Sequence, residues 1–562
     1  MAASGEIRPR RYSAMAAMEQ IIMLSDEESD SEESVSDVDE DEREIQVPHD
    51  GGDEEEEDET SEEELAPLTQ RLNLGRLTSP NGEVWHEEPP RGGRRPARNI
   101  LRNQPGPTPY AAARLQNELS AFLLIFDNDM IETLVVETNR EGHLKHGEAF
   151  QPTSIVEMRA YIGLCILRGV YKGHLESVDE LFSEEHGRLI FRKTMTLSRF
   201  KLLRRHLRFD NRATRNARLQ RDKLAAVRLL LDGLTNNSQK CYFPGPAITI
   251  DEQLYPYRGR CKFVQYIPSK PAKYGLKFWS LNDSQTAYCW NLQMYVGRDE
   301  NRQGRPLGEH VVLTLVEKLR GSGLNVTVDN FFCSLQLARQ LMSMNMTLLG
   351  TMRANRREVP TELRYHRGKE LFASKFVYTN DGVQLVSYKA KQTKIVLVLS
   401  SQHSTAGVAN AENRKPQSIN DYNKTKGGTD QMDQMIGSYT TKYKSRRWHV
   451  PVFCNVLDIA CLNSYVLHKH LIPECNAGKP NRRRLFLLTL GYALTEPATT
   501  ARSQITAPRA LGPADGPLKG RCHLCNRSAD RKTRTKCSSC TKFTCQEHLQ
   551  QVCMSCFDVD SS

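Results

Sequence analysis

The chain reads as a multidomain α+β protein on three observations. At 562 residues it has material for about three or four domains of ~150 residues each. Its apolar periodicity changes from helical to strand-like near residue 246 and returns to helical after Gly427-Gly428. Its C-terminal end carries closely paired cysteines that nothing earlier in the chain resembles.

Residues 1–98 are expected to be disordered. The stretch 26–64 holds 23 Asp/Glu against one Arg, and the region is poor in aromatic residues, so it has too little apolar surface to offset the entropy of ordering. It reads either as a solvated tail or as a kinase substrate, because Ser25, Ser29, Ser31 and Ser34 each have acidic residues close behind them. From 99 to 245 the pattern is helical. Leu115, Leu119, Phe122, Leu123 and Phe126 share one helix face, and further helices are expected around Val156–Leu167 and Phe200–Leu207. Lys201, Arg204, Arg205 and Arg208 ride the other side of the last, a face suited to phosphate or simply to water.

Short β-like runs follow at Ala247–Ile250, Leu292–Val296 and Asn325–Val328, then at Gln384–Tyr388 and Lys394–Leu399 among polar linkers. One long helical stretch is expected from Gly428 to about 470, with Val452, Phe453, Val456, Leu457, Ala460 and Leu467 facing a core. Residues 495–520, rich in Ala, Pro, Thr and Gly, read as a linker.

Charge narrows the class of partner. The whole chain has 77 Lys/Arg and 68 Asp/Glu; setting the acidic block aside leaves 76 against 45 and moves the formal charge from +9 to +31. A body so basic expects a polyanion, most simply the phosphate backbone of nucleic acid. No run of 18 apolar residues and no leader pattern occurs, so neither a membrane protein nor a secreted one is expected. Seven of the 15 cysteines crowd into 522–556, which favours metal ligation over disulfides.

Three aspartates stand where chemistry is easily placed. Asp251 closes the run Ala247–Ile250 and Asp329 closes Asn325–Val328; a carboxylate at a strand end is held by the sheet yet faces its open edge. Asp430 follows Lys426-Gly427-Gly428-Thr429, a glycine break fitting a helix start, and Asp433 lies one turn further on the same face. Carboxylates converging from two strands and a helix make a hard oxygen site suited to Mg²⁺, or equally turn and cap residues of no catalytic use. Glu252 should point to the opposite side of its strand and is left out.

Nearby, Arg258, Arg260, Lys270, Lys273 and Lys277 interleave with Tyr257, Tyr266 and Tyr274 in a basic-aromatic ribbon that fits a DNA backbone. Trp448, beside Arg446 and Arg447, reads either as a packing aromatic or as a base-stacking platform with the arginines on phosphates.

The cysteine-rich end has the spacing Cys522-x2-Cys525, Cys537-x2-Cys540, Cys545-x2-His548 and Cys553-x2-Cys556. Eight ligands in four pairs imply two structural Zn²⁺ ions, which would supply the folding energy of a segment with almost no core. The intervals suit an interleaved cross-brace, pairs one and three on one ion and two and four on the other, with sequential pairing the alternative. Lys519, Arg521, Arg527, Arg531, Lys532, Arg534 and Lys536 crowd its first half, favouring DNA over a protein partner and doubling as a nuclear import signal.

Several local words resemble the piggyBac family of DNA transposases: Thr249-Ile-Asp-Glu-Gln-Leu254, Tyr257-Arg-Gly-Arg260, Tyr266-Ile-Pro-Ser-Lys-Pro-Ala-Lys-Tyr-Gly275, Val328-Asp-Asn-Phe331, Arg353-Ala-Asn-Arg-Arg-Glu-Val-Pro360, Tyr422-Asn-Lys-Thr-Lys-Gly-Gly428, Asp430-Gln-Met-Asp-Gln-Met435 and Arg447-Trp448. The likeness runs from about Asn99 to Cys556.

It implies a ribonuclease-H-like catalytic core (246–355 and 417–440) interrupted by an insertion domain (356–416). A helical dimerisation and DNA-binding domain (99–245 and 441–500) would flank it, followed by a linker (501–520) and a cross-brace zinc finger (521–557). Asp251, Asp329 and Asp430 would be the catalytic, Mg²⁺-holding triad, with Mn²⁺ a substitute, and Asp433 a further acid of the same motif. The resemblance also implies a nuclear homodimer acting on double-stranded DNA. It would nick transposon ends, form hairpins and join the reopened ends to TTAA targets, while the finger reads the terminal inverted repeats. A host-domesticated, catalytically silent DNA-binding or chromatin protein is the alternative. An adaptor of the ubiquitin-ligase kind rests on the cross-brace alone.

Overall fold

The computed structural model describes residues 75–90, 100–506 and 519–549, apart from 269, 298–301, 303, 366, 410–411 and 539. Its centre is an 11-stranded sheet made of β1 (Arg76–Thr78), β2 (Val84–His86), β3 (Ala247–Pro256), β4 (Val264–Tyr266), β5 (Tyr274–Asp283), β6 (Cys289–Met294), β7 (Asn325–Val328), β8 (Thr347–Thr351), β9 (Ser374–Tyr378), β10 (Gln384–Lys391) and β11 (Lys394–Ser400). The strands run in the order β1-β2-β9-β10-β11-β8-β7-β3-β5-β4, with β6 also on β5. Only β8-β7 and β7-β3 pair in parallel. That central trio is buried as parallel strands must be: Ile248, Ile250, Val326 and Val328 are within 1% of fully covered.

Helices surround the sheet: α1 (Glu118–Ile125), α2 (Asn128–His146), α3 (Ile155–Val170), α4 (Leu197–His206), α5 (Arg228–Cys241), α6 (Leu335–Ser343), α7 (Gln417–Thr425), α8 (Gly428–Ser438), α9 (His449–Leu471) and α10 (Arg482–Thr506) among them. The first four begin at side-chain caps, Asn117, Asp127, Ser154 and Thr196, each accepting from an amide of the first turn. Helices α3 and α10 cross closely because Gly163 has no side chain; a Cβ there would stand 2.9 Å from the Gly491 carbonyl oxygen.

Helix α9 is long and apolar enough to cross a membrane, yet its apolar window is 94% buried within the protein, so it is a core helix. It is clamped to the sheet by a polar side chain. Asn463 Nδ2 donates to the Cys289 carbonyl (2.7 Å) and to Ser238 Oγ (2.9 Å), while its Oδ1 accepts from the Cys289 amide (2.9 Å).

Four features differ from the sequence reading. Residues 76–86, inside the stretch expected to be disordered, form a hairpin whose His86 pairs with Tyr378 and whose Trp85 is wholly buried; one aromatic supplies the apolar area that the surrounding acids lack. The rest of that stretch lies outside the described residues. The insertion does not fold apart, since β9–β11 extend the central sheet from β8. The single helix expected after Gly428 is two, α8 and α9, separated by residues 439–448. The linker expected from 495 is helical through Thr506 despite Pro497. Buried Leu490 and Leu494 hold that helix against the body, and Thr495 and Thr499 hydrogen-bond to carbonyls one turn back.

Replacing Asn463 with Ala strands the Cys289 amide and carbonyl in a dry interior. The expected cost is about 2–4 kcal/mol, read as an earlier midpoint in urea unfolding.

Candidate active site and metal centre

The site begins with register. Ile250 lies beside Val328 and Val328 beside Gly350. The next residue along each strand therefore falls in one row: Asp251, which lies midway along β3 rather than at the strand end the sequence reading expected, since β3 continues on β5 to Pro256; Asp329, just past the end of β7; and Thr351, the last residue of β8. On the same face as Asp251, Thr249 donates from Oγ1 to the Thr425 carbonyl (2.5 Å), and Thr327 Oγ1 donates to Thr425 Oγ1 (2.8 Å). The end of α7 thus rests on the threonines of β3 and β7.

The chain then turns through Gly427, and the Gly428 amide donates to Thr249 Oγ1 (3.3 Å). Glycine is required at 428, since a Cβ there would lie 2.6 Å from that oxygen. Docking Gly428 over Thr249 brings the first turn of α8 beside β3, near enough for the charge of Asp430 to act on Asp251.

Electrostatics agree with this convergence. Burial raises the Asp251 carboxyl to about 7, and the charges of Asp329 and Asp430 add to the rise. Asp329 is also raised, by burial first, against donation from the Phe331 and Phe332 amides. Among the described residues no ion pair neutralises Asp251, Asp329 or Asp430. Lys270 and Arg353 act on Asp251 and Asp329 by charge without pairing with them, and carboxylates are the donor type of a hard divalent cation such as Mg²⁺. Tyr422 Oη sits 3.5 Å from Thr351 Oγ1, and its phenol is pushed up to about 12 by burial and by the charges of Asp329 and Asp251.

Asp433 does something else. Its Oδ1 accepts from Gln253 Nε2 (2.7 Å), and Gln253 exchanges hydrogen bonds with Asn455 of α9 at 2.9 and 3.1 Å. It ties α8 to β3 and α9 rather than joining the row. Thr249 and Gln253, missed by the sequence reading, share the alternation of β3 with Asp251; that period of two was the available signal.

The basic candidates divide. Arg258, Arg260, Lys273 and Arg446 are exposed. Lys277 is committed inside the protein, paired with Glu252 at 2.7 Å and lying 4.1 Å over the Trp279 ring, and Lys270 donates to the Glu252 carbonyl (3.3 Å). Arg447 donates to the Leu207 and Arg204 carbonyls, closing the end of α4. Arg208 of the expected cationic face is buried on Glu141 at 2.8 Å. Trp448 is half-buried, edge-on to Phe263 at 5.5 Å, in keeping with the packing alternative.

At the C-terminal end the ligand atoms of Cys522, Cys525, Cys545 and His548 all lie within 4.8 Å of one another. Cys525 Sγ to Cys545 Sγ is 3.6 Å, and His548 Nδ1 lies 3.3, 3.4 and 3.8 Å from Cys545, Cys525 and Cys522. A tetrahedral zinc with bonds of ~2.0–2.3 Å spaces its ligands about 3.3–3.8 Å apart, so the donor set fits. Pairs one and three are those that meet, as the interleaved alternative requires. Cys537 and Cys540 are described, whereas Cys553 and Cys556 lie outside the described residues.

Residues 117–465, more than half of the chain, match the family model described as Transposase IS4. This chain belongs to the piggyBac-type transposase family. It is 33% identical, with a TM-score of 0.69, to the cryo-EM structure of a piggyBac transposase synaptic complex with hairpin DNA, covering 81% of this chain and 100% of that one. Human PiggyBac transposable element-derived protein 3 is 25% identical over 446 residues, 75% of this chain and 72% of that protein. Human PiggyBac transposable element-derived protein 2 is 25% identical over 371 residues, 62% of this chain and 61% of that protein.

Two outcomes are expected of this piggyBac-type site. Gly428→Ala forces α8 off Thr249 and costs about 1–3 kcal/mol, read as a lower melting temperature with faster hydrogen exchange confined to α7 and α8. Cys545→Ser lowers the zinc content of purified protein, measured by mass spectrometry, while the helical circular dichroism of the body is kept.

Proposed function

We propose that the chain is a cut-and-paste DNA transposase. In this reading it nicks the transposon 3′ ends, lets the freed 3′-hydroxyl attack the opposite strand to form a hairpin, and joins the reopened ends to TTAA targets. The observation that supports the reading is that Asp251 and Asp329 follow paired residues of two adjacent parallel strands, with Asp430, from a helix start, near enough for its charge to act on Asp251; a ribonuclease-H-like core is part of the same reading. Two Mg²⁺ ions held by these carboxylates, with Mn²⁺ a substitute, would activate the attacking oxygen and stabilise the leaving one.

The protein's own part is positioning. The parallel register of β3 and β7 fixes two carboxylates side by side, and the Thr249 anchor sets the third. Exposed Arg258, Arg260, Lys273 and Arg446 supply cations for the strand's phosphates. The finger, closed by Zn²⁺ on Cys522, Cys525, Cys545 and His548 and by a second ion on Cys537, Cys540, Cys553 and Cys556, would read the terminal inverted repeats. A homodimer brings two ends together, and the basic run beside the finger supplies nuclear entry.

The names of the human relatives, transposable element-derived proteins, favour a second reading, a host protein that keeps the scaffold and DNA binding without catalysis. A plasmid excision assay decides between them. The parent is expected to excise its cognate element only with Mg²⁺ or Mn²⁺ present. Asp329→Ala should lose at least about a thousandfold in cleavage while binding DNA as before. Equal excision by both proteins would remove Asp329 from the chemistry, and no excision by the parent would establish the second reading.

A further inference from the structure

The hairpin β1–β2 lies before residue 117, outside the part that matches the family model, and the sequence reading gave it no role. Its contacts converge on the loop Arg353–Glu358, which leaves β8 immediately after Thr351, the third residue of the carboxylate row. Trp85, with no exposed surface, donates from Nε1 to the Glu358 carbonyl (3.1 Å). The Asn81 amide donates to the neighbouring Arg357 carbonyl (3.2 Å). The hairpin is in turn pinned from below. Arg339 of α6 grips Glu83 with both terminal nitrogens at 2.6 and 2.9 Å, and its Nε donates to Asp381 (2.9 Å); Lys375 of β9 pairs with Glu87 at 2.9 Å.

The loop so held is basic and open. Arg353 and Arg357 are exposed. Arg353 donates from Nε to Asn330 Oδ1 (3.3 Å), beside Asp329, and its charge acts on the Asp329 carboxyl. From the other side Arg364 donates to the Arg356 carbonyl (3.0 Å). Consecutive carbonyls at 356, 357 and 358 are therefore fixed by three separate donors. An edge cap needs only strand pairing; it does not need an indole and an amide spent on a loop two elements away. Fixing a loop before it meets a ligand removes ordering entropy from the binding step.

We propose that the hairpin is a positioning element for DNA, holding the 353–358 loop so that the exposed Arg353 guanidinium meets a substrate phosphate beside Asp329. The proposal rests on the reading of the carboxylate row as a DNA-cleaving site.

Full-length parent, Trp85→Phe, Arg353→Gln and the double variant are compared on a random-sequence 30-base-pair duplex across a salt series, since phosphate contacts are independent of sequence. Trp85→Phe keeps an aromatic side chain of smaller volume and removes the N–H donor, and hydrogen exchange over β3 and β7 verifies that the fold persists. Expected are faster exchange of the 353–358 amides, an affinity loss of about fivefold in each single variant with a salt slope shallower by about one, and a double variant no weaker than Arg353→Gln alone. Unchanged affinity in Trp85→Phe, or losses that multiply in the double variant, would overturn the proposal. A parent that binds no duplex would instead sink the reading of the carboxylate row as a DNA site.

Discussion

The arrangement depends on one contact, the seating of the Gly428 amide on the hydroxyl of Thr249. Asp251 and Asp329 belong to strands whose register holds them together whatever the rest of the chain does. Asp430 comes from a helix 101 residues further along, after the strands β9–β11 have been threaded into the sheet. Nothing in the strand pairing brings it back. The return is made by Thr425 and Gly428 landing on Thr249 and Thr327, and it works only because residue 428 has no side chain to hold the helix away.

Much of this was legible in the sequence because the signals are local. The runs Ala247–Ile250 and Asn325–Val328 announce strands by β-branched content, each ends at an aspartate, and the glycine pair announces a helix start. The spacing allowed Cys522/Cys525 to share an ion either with Cys545/His548 or with the next pair along, and the fold brings the first combination together. What escaped has a common cause: it depends on partners distant in sequence. Trp85 is a lone aromatic in an acidic stretch, and only the carbonyl of Glu358 and the β9 edge turn its neighbours into a hairpin. Residues 439–448 look helical until Thr440 and Thr441 are seen donating to buried Asp458, which pulls the backbone out of the helix. Pro497 argued for a linker, yet the core contacts of Leu490 and Leu494 outweigh the one hydrogen bond a proline forfeits.

Charge was the least transferable signal. A large basic excess is real, but a surface count cannot tell which cations are already spoken for. Arg208 is buried on Glu141, Arg215 and Arg218 converge on Asp210, Arg447 closes α4, and Lys277 belongs to Glu252. These arginines hold a helical domain together through charge-assisted bonds that a hydrophobic pattern does not reveal. Among the basic residues near the carboxylates, those left exposed include Arg258, Arg260 and Lys273 after β3, Arg446, and Arg353 and Arg357 after β8.

That separation explains how the site can keep its acids unpaired. Three carboxylates within reach of one another repel, and burial deepens the penalty; a flexible site would relax by swinging one of them into water. Asp251 and Asp329 are denied that relaxation by the sheet register, whereas Asp430 is exposed, on a helix held by the threonine anchor and, one turn on, by the tie of Asp433 to Gln253 and Asn455. The repulsion is therefore held in the folded state, offset by the core beneath it, and a divalent cation is the ligand that relieves it. Arg353 is near enough to temper Asp329 but is turned to Asn330 for its hydrogen bond. Asp329 accepts from the Phe331 amide at Oδ1 (2.9 Å), and the Arg353 guanidinium stays exposed beside it.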